Sequence, residues 1–130
     1  MTDDKQKTTQ SNIPEEGFLA YRLAVLLQHL VASHVQSSAI SIIHGAKLKK
    51  YASEIIKNLL SVFSETDSES KLIFYNKALE QVDNFEALIL RLTDSFSLPI
   101  QISREILSDT DNLKQSIIIL VRKLTESEPN

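Results

Sequence analysis

The sequence contains no cysteine and no tryptophan, and only two glycines and three prolines in 130 residues. Without cysteine the chain forms no disulfide, no thiolate nucleophile and no Cys-ligated zinc site. Two glycines cannot build a glycine-rich phosphate loop. So little turn chemistry favours a few long helices over many short strands. No uninterrupted apolar run approaches the roughly 18 residues of a membrane span. The opening stretch MTDDKQKTTQSN lacks the apolar segment of a secretory signal. These absences lead to the expectation of a cytoplasmic protein with no membrane partner.

What is present is apolar periodicity. The hydrophobic share of 42% suits a globular chain rather than a disordered one, and the length suits one domain. Residues 1–12 are polar and are expected to be a disordered tail, residues 13–126 a bundle, and residues 127–130 a frayed end. Helix 1 is expected from Asn12 and Pro14 to about Val35, with Glu15 and Glu16 in its first turn. Leu19, Leu23, Leu26 and Leu30 form its stripe. Residues 36–44 read equally as loop or as helix continuing to a break at Gly45. Helix 2, from Gly45 to about Glu65, carries Leu48, Ala52, Ile55, Leu59 and Val62 at spacings of four and three. In SETDSES, Thr66 and Glu69 have capping-box spacing before helix 3, which is expected from about Ser68 to Asp94. Ser97 is the expected cap of helix 4, which runs from about Pro99 to Thr125. The expected fold is all-α, an antiparallel up-down four-helix bundle. No repeat of solenoid period is visible. SIIILV is apolar all round and LAVLLQHLV is apolar on two sides, which hints at self-association.

The net charge of −3 offers no global attraction for polyanions. Its distribution is uneven, because residues 45–63 hold four lysines and one glutamate. Lys47, Lys49, Lys50 and Lys57 are therefore candidate contacts for a nucleic acid or protein partner, with Arg91 and Arg104 as second candidates. The three histidines show no metal-ligand spacing, and no catalytic, cofactor-binding or metal-binding residues are assigned. Arg22 and His29 are seven apart and share a helical face, which meets the loose pattern of the HEPN ribonucleases. A ribonuclease using these two residues is a remote alternative. Tyr75, Phe85 and Phe63 fall on core stripes, so exposed aromatics for base stacking are not expected.

The stretch KLIFYNKALEQVDNFEALILRLTDSFSLPIQISREILSDTDNLKQSIIILVRKL resembles the C-terminal half of a small four-helix-bundle superfamily. That superfamily holds proteins encoded in intervening sequences of 23S ribosomal RNA genes and the accessory variability determinants of diversity-generating retroelements. The similar features are the basic-aromatic opening KLIFYNKAL, the LILRL segment, the short turn and the long last helix. The resemblance spans about residues 17–125. The chain departs from many relatives in ending helix 4 without Gly or Trp and in being acidic overall. The resemblance implies no enzyme. It implies a ring-like homo-oligomer, a pentamer, that engages a reverse transcriptase and its template RNA. An adaptor of the 23S intervening-sequence type, with another protein or RNA partner, is the alternative within the same group.

Overall fold

The computed structural model describes residues 15–126, with side chains from Gly17 onward. The expected tails, the Asn12 cap, Pro14 and the side chains of Glu15 and Glu16 lie outside the described part. Four helices form: α1 Glu15–Gln36, α2 Ile42–Ser64, α3 Ser68–Asp94 and α4 Ile100–Glu126. Each packs on its sequence neighbours, and α4 closes back on α1. Connections this short reverse the chain at each step, so the helices alternate in direction. The all-α four-helix bundle expected from the periodicity is the architecture observed.

The core is built from one arc of each helix. Leu48, Ala52, Ile55 and Leu59 of α2 are fully buried, as are Ala78, Val82, Phe85 and Ile89 of α3 and Ile106, Leu113 and Ile117 of α4. On α1 the expected stripe holds at Leu23 and Leu30, which pack half-buried against the core, and is corrected at Leu19 and Leu26. Ala20, Ala24, Leu27 and Val31 face the interior, while Leu19 and Leu26 are 59% and 50% exposed. Because α1 carries apolar residues on more than one side, spacing alone does not choose the inward arc. The choice falls on the arc with small residues, where α2 can come close. Gly17 continues that arc, and a Cβ there would run into the Phe63 ring.

The ambiguous segment 36–44 is a turn followed by the start of α2. Ser41 caps α2, its hydroxyl accepting from the His44 N–H at 3.2 Å. Gly45 is no break. It lies in the first turn, its N–H donating to the Ser41 carbonyl at 2.8 Å. Two other caps differ from expectation. At α3 the carboxylate of Asp67, not Thr66, accepts the Ser70 N–H at 3.0 Å. At α4 the Ser103 N–H donates to the Pro99 carbonyl, and Ser97 instead closes the end of α3.

The ends of α1 and α3 are built alike. After α1, the Ser38 N–H donates to Val35 O and the Ala39 N–H to His34 O. After α3, the Phe96 N–H donates to Thr93 O and the Ser97 N–H to Leu92 O. Both are Schellman closures with a left-handed residue at the turn, Ser38 at φ 68° and Phe96 at φ 60°. Each is followed by a buried anchor, Ile40 or Leu98. The likeness extends along the chain. Every buried position between Gly17 and Val62 recurs at an offset of 58, from Gly17/Tyr75 and Ala20/Ala78 to Asn58/Ser116 and Val62/Leu120. Between residues 15–64 and 73–122 only Ala20/Ala78, Leu30/Leu88, Ser37/Ser95 and Ile42/Ile100 are identical pairs. The bundle is thus two similar α-hairpins related by a pseudo-twofold along its axis, a repeat carried by burial and turns rather than by residue identity.

Candidate binding surface

Topology gathers the candidate cations. α2 and α4 begin, and α1 and α3 end, at the same end of the bundle. The side chains confirm the pairing: His34 Nε2 bonds Glu105 Oε1 at 3.0 Å, and the hydroxyls of Thr93 and Ser103 lie 2.6 Å apart. Lys47, Lys49 and Lys50 in the opening turns of α2, Arg91 in the last turn of α3 and Arg104 near the start of α4 therefore come to this one end. Lys57 stands apart, ten residues beyond Lys47, or about 15 Å along the helix.

All of these except Lys49, which is half-buried, are exposed. Lys50 and Lys57 lie opposite the buried arc of α2, and Lys47 and Lys49 flank it. Among the described residues the ion pairs are His34–Glu105 and Lys114–Asp83, both at 3.0 Å. None involves the six candidate cations, so their charge is left for water or for a partner. At this end the acids in the adjoining turns are Glu54, Asp94, Glu105 and Asp109, against Lys47, Lys49, Lys50, Arg91 and Arg104, and Glu105 is already engaged by His34. Over the rest of the bundle acidic residues outnumber basic ones.

No ionisable Asp, Glu, His, Lys or Arg is buried among the described residues. The buried polar side chains are satisfied close to home. Asn58 donates to Glu54 O at 2.8 Å, Thr110 to Ile106 O at 2.6 Å and Ser116 to Leu113 O at 2.7 Å, while Ser103 bonds Thr93. Asp67 and Lys114 have displaced pKa values, and both reflect simple contacts. The Ser70 backbone N–H lowers Asp67 below its ordinary value, and the hydrogen bond to Asp83 raises Lys114. Among the described residues no cluster of three or more His, Cys, Asp or Glu converges on a point. Arg22 and His29 both lie exposed on the outer side of α1, and the Arg22 guanidinium stands 6.0 Å from the centre of the Phe18 ring. Two hollows among the described residues are open to solvent. One is lined by Ser53, Ile56, Lys57 and Leu60 of α2, another by Leu72 of α3 and Leu124 of α4.

Sequence reasoning missed the apolar side chains at the cationic end. Phe96 is 95% exposed, Ile43 80%, Ile42 79% and Ile100 56%. The expectation that aromatics serve the core is corrected at Phe96. A phenylalanine inside a serine-rich turn, SFSLPI, was the available signal. Gly17–Gln36 has the length and apolar composition of a membrane-crossing helix. It is also α1, whose Ala20, Ala24, Leu27 and Val31 are wholly enclosed by the bundle.

Compared with known proteins, the chain matches no family model, no curated relative and no solved structure.

Proposed function

We propose that the protein is a non-enzymatic binding scaffold of the cytoplasm that engages a polyanionic partner through the cationic surface of α2. Following the resemblance of its second half, the partner is a reverse transcriptase with its template RNA in a diversity-generating retroelement, and the working form is a ring-like oligomer, a pentamer. The observation that carries the reading is the segregation of Lys47, Lys50 and Lys57 on the exposed side of α2, none of them in an ion pair. Unpaired lysines release counterions when they meet phosphates, which gives affinity without sequence preference. Repetition of the strip around an oligomer multiplies a modest charge by avidity. The lack of any buried Asp, Glu, His, Lys or Arg among the described residues fits a surface that binds rather than a pocket that reacts.

The test is retention of a structured RNA and of a reverse transcriptase by the full chain, read against salt, with mass by light scattering. The triple change Lys47→Glu, Lys49→Glu, Lys50→Glu is expected to lower RNA affinity by roughly a hundredfold or more and to flatten its salt dependence. Unchanged retention of both partners would overturn the reading. A clean 14.7 kDa species would remove the ring.

A further inference from the structure

The end of the bundle that collects the cations also exposes apolar side chains at one level. Ile42 and Ile100 are equivalent residues of the two hairpins, so the pseudo-twofold along the bundle axis sets them at the same height. Phe96 lies at the turn just before Ile100, and Ile43 adjoins Ile42. These four are the most exposed apolar side chains described beside Leu19. Two of them break the pseudo-symmetry in the same direction. The counterpart of Phe96 is Ser38, and the counterpart of Ile43 is Gln101. Phe96 also holds the left-handed turn position that glycine usually occupies, with its ring directed into solvent. The fold would be served as well by the polar residues its own other hairpin carries there.

From this arrangement we propose that the protein docks end-on onto an anionic lipid bilayer, inserting Ile42, Ile43, Phe96 and Ile100 while Lys47, Arg91 and Arg104 meet the headgroups. The side chains stand at two separate helix-to-helix connections, Ile42 and Ile43 opening α2 and Phe96 and Ile100 at the entry to α4, a layout a planar interface can accept without a matching pocket. Cations lie in the turns immediately behind the apolar tip, which is the charge pattern that pairs with acidic lipid. A second copy fits less well. Tip-to-tip packing would bring two cationic collars together, and four side chains are far short of the roughly 20–30 residues a side of a stable interface. This inference goes beyond the polyanion reading and uses different residues for its apolar half, so failure of the RNA test leaves it standing.

The experiment is flotation of the full chain with vesicles of phosphatidylcholine alone and of phosphatidylcholine with a roughly equal share of phosphatidylglycerol, close to a strongly acidic leaflet. The double variant Ile43→Gln, Phe96→Ser takes its residues from the equivalent hairpin and is expected to keep the wild-type melting curve and RNA retention. Wild type is expected to float with the acidic vesicles and not with the neutral ones, and the double variant to lose at least about tenfold in partition. Because the chain has no tryptophan, Phe96→Trp supplies a single reporter whose emission is expected to shift to the blue on acidic vesicles alone. Absence of flotation, equal flotation on neutral vesicles, or a double variant that floats like wild type would overturn the proposal. A concentration-dependent dimer abolished by the double variant would also overturn it and assign the tip to a second copy.

Discussion

At the scale of single residues, close approach between helices rests on the two glycines. Gly45 sits where the end of α1 meets the start of α2, and a Cβ there would collide with the Val35 side chain. Val35 is β-branched and stiff, so it cannot swing away. Gly45→Ala is therefore expected to destabilise the bundle by about 1–3 kcal/mol, even though alanine is the better helix former. Adding Val35→Ala should return much of that loss. Urea unfolding of the two single variants and the double variant checks this, and a neutral Gly45→Ala would mean the contact is not tight. Neither effect is legible in the sequence, where GAKLKK reads as a helix start or a break with equal ease. The partner of Gly45 lies in another element, so only packing reveals why a glycine stands there.

At the scale of the element, each helix boundary is a competition between neighbouring polar side chains. Thr66 and Asp67 can both cap α3, and the backbone turn settles it for Asp67, whose carboxylate takes the Ser70 N–H. That hydrogen bond holds Asp67 below its ordinary value of 3.8. A depressed folded-state pKa means a contribution that is present above 3.8 and is lost as pH falls through the lower folded value. Asp67→Ala is expected to lower the melting temperature at neutral pH, and the gap from wild type to shrink on acidification below pH 3.8. Melting curves by circular dichroism at several pH values test it, and a gap that stays constant into acid would contradict it. Lengths and existence of the helices were readable because apolar spacing is a local signal. Exact caps were not, because several residues in SETDSES and SFSLPI have suitable side chains and differ only in backbone angle.

At the scale of the whole molecule, the pseudo-twofold makes the order of the hairpins interchangeable. α4 already packs on α1 as α2 packs on α3. A circular permutant opened within residues 65–67, with residue 126 joined to residue 15 by a flexible linker of roughly ten residues, is expected to fold to the same helical content with one cooperative transition. A permutant that stays unfolded would show that the α2–α3 connection is needed to set the packing. The same symmetry brings the ends of α1 and α3 together, and with them Lys47, Arg91, Arg104 and the exposed Phe96.

By itself the sequence determined the all-helical class, the four segments and the apolar arc of α2, since these are written in residues three and four apart. It also marked the lysines of α2 as a group. Only the tertiary structure decided which arc of α1 turns inward, because a helix with apolar residues on more than one side leaves that choice to its neighbours. Only the tertiary structure brought Arg91 and Arg104 beside those lysines and left Phe96, Ile42, Ile43 and Ile100 uncovered at that end. Those outcomes depend on contacts between residues far apart in the chain, and local spacing carries no record of them.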